Sequence, residues 1–457
     1  MQKNKFWGIR QSDFFSFFVG LLQINSVRYF ILRNYEELPE NNLGKDVDVV
    51  IEPGKYQIVA RALSDTMKHF GVHYYTINKF DKLRCWYIMD NNSEFAIHID
   101  VIENEIYKGF EFYSFDLLYA HVVKYKDFFV LDPVFDTVML LVQNLVAYKS
   151  LKPRYIQVVS KNYSLYKTEI TNEIINFFGE EVGGDLVKKL ETSDYYSLVQ
   201  SAQKLSKVAM QRIFLKKPIK TIIGFIRYLC GLFYRVLICP QKFRRFIAVE
   251  APDGAGKTTF INALVKRLQF YFVCDEEIVS VCHFRPSILP NLGAVGEKIG
   301  AMKQDVDFTN PHRAKVVGRF SSFCRMFYYW SDYVLGIPYI LRKNAKKCKY
   351  VIFDRYIYDF LVDPQRSRIN LPLFVRKLFV RLVLQPKIIF VLTASPDVIF
   401  SRKQELTKQE ILEQLGLFKD LCLVCENCYE VDAERSVDEI VDNAIGIMFN
   451  KFMNKVE

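Results

Sequence analysis

The stretch FIAVEAPDGAGKTTFINAL, Phe246 to Leu264, leaves this chain few ways to fold. Phe246 to Val249 are apolar and read as a buried strand. The strand breaks into a short loop, Ala251 to Gly256, and the chain restarts as a helix at Lys257. Backbone N–H groups converge on one anion only where residues take unusual φ/ψ, and Gly254 and Gly256 supply that freedom. The helix N-terminus adds the positive end of its dipole. Lys257 brings a point charge to the β- and γ-phosphates of a nucleotide, and Thr258 offers Mg²⁺ a hydroxyl. Ala251 stands where the phosphate-loop pattern has its first glycine, at a cost if that position needs positive φ.

A chain of 457 residues is long for one domain, and two or three are expected. With 50% hydrophobic and 25% charged residues it is globular and can bury large cores. A net charge of +11 suits anionic partners without choosing among them, and nucleic acid is not expected. Ten cysteines without framework spacing, and a start that lacks a signal-peptide pattern, point to a reducing cytoplasm. Cys422, Cys425 and Cys428 form a C-x₂-C-x₂-C run with no matching fourth cysteine. The surrounding LGLFKDLCLVCENCYEV reads as a helix running into a strand, so core or surface thiols are expected there.

Taken in order, Asp13 to Leu22 read as an amphipathic helix, Val27 to Leu32 as a strand and Tyr56 to Phe70 as a helix. Alternation over Asp46 to Ile51 is strict enough for a strand, with Asp46 and Asp48 on one face. Strands follow near His73 to Ile77, Leu83 to Met89 and Phe95 to Ile102, the last carrying Asp100. Helices are expected from about Phe115 to Val208. Two acids on one strand and a third on a neighbour make a cage for one or two Mg²⁺ ions. This pattern resembles the nucleotidyltransferase superfamily over roughly the first third of the chain. The resemblance implies metal-ligand roles for Asp46, Asp48 and Asp100. Where that family has a Gly-Ser or Gly-Gly turn upstream, this chain has Leu32-Arg33-Asn34-Tyr35, and Arg33 is the residue there that could replace the turn by charge.

Between Lys216 and Arg245 an apolar, aromatic-rich middle is bracketed by Lys216, Lys217, Lys220 and by Lys242, Arg244, Arg245. Arg227 and Arg235 interrupt it, which disfavours a membrane span. It reads as a basic amphipathic helix, ended by Pro240, that packs between domains or lies on an anionic membrane.

Beyond the phosphate loop, Val279 to Pro286 form a strand delivering His283, Phe284 and Arg285, and Lys349 to Tyr356 one ending in Asp354-Arg355. Lys387 to Thr393 lead into a helix with Arg402 and Lys403, and Tyr429 to Ile440 give a short strand, a turn and a helix. Such alternation means a parallel sheet flanked by helices. The order of motifs resembles the thymidylate kinase family of P-loop nucleoside monophosphate kinases over nearly all of residues 246–450. The resemblance implies ATP and Mg²⁺ as cofactors. It implies Arg355 on the phosphates, Asp354 near the metal, Arg285 on the acceptor phosphate with Phe284 against a base, and Asp253 on a sugar hydroxyl. Asp253 to Thr259 (with Gly254, Ala255, Gly256, Lys257, Thr258 and Thr259) and the Asp432-Ala433 turn are its candidate nucleotide contacts. Ala255 lies where some members keep a catalytic arginine, so a mobile lid of Ser401, Arg402 and Lys403 with Lys408 is expected to supply the charge. Trp330-Ser331-Asp332-Tyr333 replaces the family's Asp-Arg pair at the acceptor base, and Ile357-Tyr358-Asp359-Phe360 replaces small polar residues.

The expected architecture is therefore an α+β nucleotidyltransferase-like domain (1–115), a helical extension (116–215), a basic amphipathic linker helix (216–245) and an α/β P-loop domain (246–457). The expected function is an ATP- and Mg²⁺-dependent phosphotransferase, cytoplasmic and at most peripheral to a membrane. Its partners would be a nucleotide, a phosphorylated or hydroxyl-bearing acceptor, and, left open, a second copy of the chain. The alternatives are a kinase for a sugar, glycan or lipid headgroup at a membrane surface, and a non-catalytic nucleotide-binding scaffold.

Overall fold

The chain divides into two units in the computed structural model, Met1–Leu232 with Lys455–Glu457, and Phe233–Asn454. The described residues are 7–91, 95–104, 106–234, 237, 245–272, 277–290, 318–345 and 349–456.

Unit 1 is built on a mixed sheet. Its strands are β1 (Tyr29–Ile31), β2 (Val47–Ile51), β3 (Tyr74–Phe80), β4 (Leu83–Asp90) and β5 (Phe95–Ile102), a small hairpin of β6 (Ile106–Tyr107) and β7 (Phe110–Glu111), then β8 (Val122–Tyr125) and β9 (Phe128–Leu131). The sheet order is β3-β4-β5-β2-β1-β9-β8, with the two-residue strand Asn454–Lys455 on the outer edge of β3, and β6–β7 stand apart. Helix α1 (Ile9–Ile24) and helix α2 (Tyr56–Phe70) cover it with phenylalanines and aliphatics such as Phe14, Phe18, Leu63 and Met67. In α2 the apolar residues recur at helical spacing, and left-handed Gly71 (φ 60) ends the helix after Lys68 and His69. Burying Leu63 and Met67 contributes about 2 kcal/mol each. β2 and β5 are parallel with Asp48 opposite Asp100, which places both carboxyls on one face. Val456 returns to this unit, its N–H donating to His73 O at 3.0 Å.

The expectation of helices from Phe115 onward needs correcting. Only α3 (Phe115–Tyr119) precedes β8 and β9, which pair as a hairpin and join the sheet through β1. Lys126 takes φ 50 at the turn, and alternate Phe128 and Val130 are buried, so strand periodicity wins locally. Helices follow as α4 (Pro133–Val142), a π-helical turn Gln143–Tyr148, α5 (Pro153–Leu165), α6 (Lys167–Phe178), α7 (Glu180–Glu191), α8 (Tyr195–Gln200), α9 (Ala202–Lys216) and α10 (Pro218–Phe233). The expected single helix over 216–245 is also corrected. It breaks at Lys217 (φ −143, ψ 63), ahead of Pro218, because a residue before proline is driven out of the helical region. Arg235, Pro240, Lys242 and Arg244 lie outside the described residues. No described helix is long and apolar enough to cross a membrane.

Unit 2 is a five-stranded parallel sheet in the order β11 (Val279–His283), β12 (Tyr350–Asp354), β10 (Phe246–Glu250), β13 (Ile388–Thr393), β14 (Cys428–Asp432). β10 is central and wholly buried, as the unbroken apolar run requires of a strand covered on both faces. Helices Lys257–Tyr271, Arg319–Ala345, Lys408–Val424 and Val437–Phe452 flank the sheet. Cys422 and Cys428 are joined by a disulfide while Cys425 is free, which corrects the expectation of three thiols. The helix Lys408–Val424 ends before the turn into β14, and that reversal brings the two Cα atoms to 4.8 Å.

Candidate active site

All five strands of unit 2 deliver their motifs to one edge of the sheet. Val249 is in register with Asp354, Asp354 with His283, Glu250 with Val391, and Thr393 with Asp432. The loops after these strands therefore share the C-terminal edge, where open parallel sheets bind ligands.

At the centre is the loop after β10. Gly254 (φ 92) and Gly256 (φ 91) are left-handed, while Ala251 is buried and outside the positive-φ residues, so alanine carries no strain there. The segment after β13 crosses close above. A Cβ built on Gly254 would meet Ile399 O at 3.0 Å and Lys403 Cβ at 3.1 Å, and one on Gly256 would lie 3.8 Å from Arg402 Nη1. Lys257 Nζ donates to Ala251 O at 2.9 Å and to Pro252 O at 3.3 Å, closing the loop on itself. Burial, then the nearby Arg355 guanidinium, push its ammonium down to about 8. Thr258 and Thr259 are exposed on the first helical turn, and Ala255 is fully buried.

Asp253 collects the cations. Arg355 Nη2 donates to one carboxylate oxygen and Arg366 Nη1 to the other at 2.7 Å, with Lys257 Nζ at 3.8 Å and Lys403 Nζ at 3.9 Å. Burial alone would raise this carboxyl, but Arg355, Arg366, Lys257 and Lys403 hold it well below the usual carboxylate range. Arg355 itself is left-handed (φ 71), a costly conformation for a non-glycine residue that the surroundings fix. Its N–H donates to Val249 O at 3.0 Å and its Nη1 forks onto Asp359 at 3.0 and 3.1 Å.

Two carboxyls at this edge have a buried oxygen without a hydrogen-bond partner among the described residues, Asp354 Oδ1 and Glu250 Oε2. Asp354 Oδ2 meets His283 Nδ1 at 3.2 Å, and Glu250 Oε1 accepts from Tyr356 N–H at 2.7 Å. Burial and Asp359 push the Glu250 carboxyl well above its ordinary value. An orphaned carboxylate oxygen on Asp354 fits a Mg²⁺ ion or one of its waters.

Arg285 follows β11, its guanidinium 5.2 Å from the Tyr329 ring centre and 3.7 Å from Asp332 Oδ2, with Nη1 buried and without a hydrogen bond. Asp332 accepts from the N–H groups of Ser287, Ile288 and Leu289 at 2.8–3.0 Å, and Tyr333 OH donates to Phe284 O at 2.7 Å. Tyr333 is fully buried in the core, so it does not line an acceptor pocket. A separate cavity of about 520 Å³ lies at the ends of β13 and β14, with Ser395, Lys419, Asp432 and Glu434 among its lining residues. Asp432 is among those lining residues, whereas Ala433 is not, and its N–H donates to Thr393 O at 2.8 Å. In the expected lid, Arg402 and Lys403 lie near the loop, whereas Lys408 pairs with Asp397.

Sequence reasoning missed Arg366, Asp359 and Glu250. Asp359, four residues after Arg355, carried a local signal; Arg366 reaches Asp253 across 113 residues and carried none.

In unit 1 the carboxylates of Asp46, Asp48 and Asp100 come within 4.8 Å of one another. Two of the three already have partners. Arg33 Nε lies 2.6 Å from Asp48 Oδ2 and its Nη2 3.2 Å from Oδ1, and His98 Nε2 lies 2.8 Å from Asp100 Oδ1. Burial pushes Asp48 up against the pull of Arg33. Burial would lower His98, but the Asp100 carboxylate raises it to about 9.

No family model and no curated protein matches the chain. Among solved structures it is similar to a thymidylate kinase from Ehrlichia chaffeensis at 16% identity, covering 44% of this chain and 97% of that one, with a TM-score of 0.31.

Proposed function

We propose that unit 2 is a P-loop phosphotransferase that moves a phosphoryl group from ATP, with Mg²⁺, to a small phosphorylated or hydroxyl-bearing acceptor. The observation that carries this reading is the convergence of Lys257, Arg355, Arg366 and Lys403 on one acid, Asp253, beside the left-handed loop. Phosphoryl transfer asks for such a cluster, since negative charge spreads over the equatorial oxygens of the moving group and catalysis is mostly positioning and neutralisation. In the ligand-free chain Asp253 is the counter-ion, and in the complex the phosphates take its cations. Lys257 and Arg402 lie beside the loop to orient the transferring group, and Arg355, fixed by Asp359, bridges loop and acceptor side. Asp354 would hold Mg²⁺, which neutralises phosphate charge when bound. Arg285, with one unspent donor, suits an anionic acceptor. The acceptor's identity turns on Asp332 and Tyr333. Both are spent on holding Phe284 to Leu289, so neither can hydrogen-bond a base. Thymidylate is therefore a weak acceptor in this reading.

The same reading places the enzyme against an anionic membrane through α10. Ile219, Ile222, Ile223, Ile226 and Phe233 of that helix are exposed, and between Asp194 and Glu250 the sequence has no acidic residue. On its inner side Lys220 pairs with Glu111, and Gly224 meets the Gly109 backbone at a distance that leaves no room for a Cβ. Unit 1 is in this reading a nucleotidyltransferase-like module that recognises rather than transfers, because Arg33 already spans Asp48.

The test is a panel of nucleoside monophosphates, sugar phosphates and hydroxyl-bearing acceptors with labelled ATP and Mg²⁺, run on the full chain and on Lys257→Ala. Product from the wild type that falls at least about 100-fold in Lys257→Ala is expected. Equal turnover in both proteins would remove the phosphotransferase.

A further inference from the structure

Unit 1 contains a cavity of about 370 Å³ whose wall includes Arg33, Lys45, Lys152 and Arg154, against a single acid, Asp46. The chain spends an irregular turn to build it. After α4 the backbone runs as a π-helix, Gln143–Tyr148, closes with left-handed Lys149 (φ 54), and reaches Lys152, the N-cap of α5. Short π-helical turns concentrate at functional sites. The first turn of α5 thus opens on the cavity with Arg154 in it.

The cations there are short of partners. Lys45 and Lys152 make no side-chain hydrogen bond or ion pair with any described residue. Arg154 donates from Nη2 to Tyr155 OH at 2.5 Å and lies over the Tyr155 ring at 4.5 Å, yet its Nε is buried with no partner. A buried, unspent guanidinium donor costs stability until an acceptor arrives. Burial and the charges of Arg154, Lys45 and Arg33 hold the Lys152 ammonium below its ordinary value, as crowding by like charge requires. Arg33 is different, because both its forks are taken by Asp48 and Gln143. Three unpaired cations less the one acid leave two positive charges, matching the roughly two negative charges of a phosphate monoester near neutral pH.

The three acids lie within reach of one ion, yet two of them are already engaged. Arg33 contacts both oxygens of Asp48, and His98 is bonded to Asp100, so an ion among the three carboxylates would have to displace a buried guanidinium from its partner. Asp46 alone is left facing the cavity.

We propose that this cavity binds the phosphoryl group of a small phosphorylated molecule through Lys45, Lys152 and Arg154, with no divalent ion bridging it to Asp46, Asp48 or Asp100. The site is independent of phosphoryl transfer in unit 2, and it makes unit 1 a recognition module for a phosphorylated metabolite. A sugar phosphate and the phosphate tail of a nucleotide offer the same chemistry, and the measurement separates them.

The experiment is amine labelling of the full-length protein with an acetyl succinimidyl ester in EDTA, read lysine by lysine by peptide mass spectrometry. That readout scores Lys45 and Lys152 apart from Lys257 in the other unit, with exposed Lys161 as an internal reference. Inorganic pyrophosphate is the first probe, followed by ribose 5-phosphate and ATP. Labelling of Lys45 and Lys152 should fall about tenfold at ten times Kd while Lys161 is unchanged. The probe that protects at the lower concentration identifies the source of the phosphate. In Arg154→Met protection should need at least about tenfold more probe, with labelling elsewhere unchanged as the sign of an intact fold. Unchanged labelling of Lys45 and Lys152 with every probe overturns the site. Protection that appears only after Mg²⁺ is added overturns its metal-free character.

Discussion

Replacing Asp253 by asparagine isolates the role of the carboxylate at the phosphate loop. The side chain keeps its shape and loses its charge, so Arg355 and Arg366 each lose a charged acceptor. Arg355 is 8% exposed and retains Asp359, Arg366 is 27% exposed, and Lys257 and Lys403 stand beyond hydrogen-bonding distance. A charge-assisted bond contributes about 1.5–3 kcal/mol, and the Arg366 pair is discounted for exposure, so the ligand-free protein should lose about 3 kcal/mol. If Asp253 competes with polyphosphate for those cations, most of that loss returns on binding. A recovery of about 2 kcal/mol corresponds to roughly 30-fold tighter binding of tripolyphosphate by Asp253→Asn than by the wild type. The assay is urea unfolding of both proteins with and without tripolyphosphate, in EDTA, with titration calorimetry for affinity. Any site in unit 1 is common to the two proteins and cancels in their difference. Equal destabilisation with and without ligand, or weaker binding by the variant, would refute the counter-ion role. Weakened binding of a sugar-bearing acceptor alone would instead favour the hydroxyl contact that the kinase resemblance implies.

Asp136 gives a pH-dependent prediction: it is fully buried, accepts from Tyr35 OH at 3.3 Å, and burial pushes it up to about 8. Its folded pKa is above the unfolded value, so its contribution to stability is full below about pH 4 and is lost as pH rises through about 8. Asp136→Asn should therefore flatten the fall in urea midpoint between pH 5 and 8.5, and parallel pH profiles for the two proteins would count against it. Sedimentation with phosphatidylserine vesicles tests α10: binding at low ionic strength should weaken with salt and be lost in Ile222→Asp with Ile226→Asp. No binding at low salt would exclude the membrane contact. Thymidylate should have a kcat/KM well below about 10⁵ M⁻¹s⁻¹, and selective turnover at or above that level would show that Asp332 and Tyr333 do not decide the acceptor.

What could be read from the residues alone divides by the range of the interaction that fixes each feature. Strand Phe95–Ile102 and helix Tyr56–Phe70 stand where the sequence pattern put them, since a short run of apolar residues and a glycine cap are local causes. The loop 251–256 is legible for the same reason: glycine conformation and a helix start lie within a few residues. The hairpin β8–β9 was missed because its short alternation lies between helical patterns, and β9 is stabilised by pairing with β1, about a hundred residues earlier. Asp46, Asp48 and Asp100 could be singled out by spacing, but their partners could not all be. Arg33 drew notice as a charge upstream, yet its fork onto Asp48 depends on β1 and β2 running antiparallel, with Ile31 opposite Val49. Tyr333 shows a different limit. Its sequence position marks it only as a departure at the acceptor-base side, and nothing local tells that the turn of Arg319–Ala345 points it inward against Tyr356 and Phe360. Its hydroxyl then fixes Phe284, so Tyr333 acts on the site through the backbone it holds. Long-range charge pairs such as Arg366 with Asp253 are the least legible, because nothing in either local sequence requires the other. Those pairs nonetheless set the electrostatics of the loop, so the chemistry depends most on the contacts that sequence pattern encodes least.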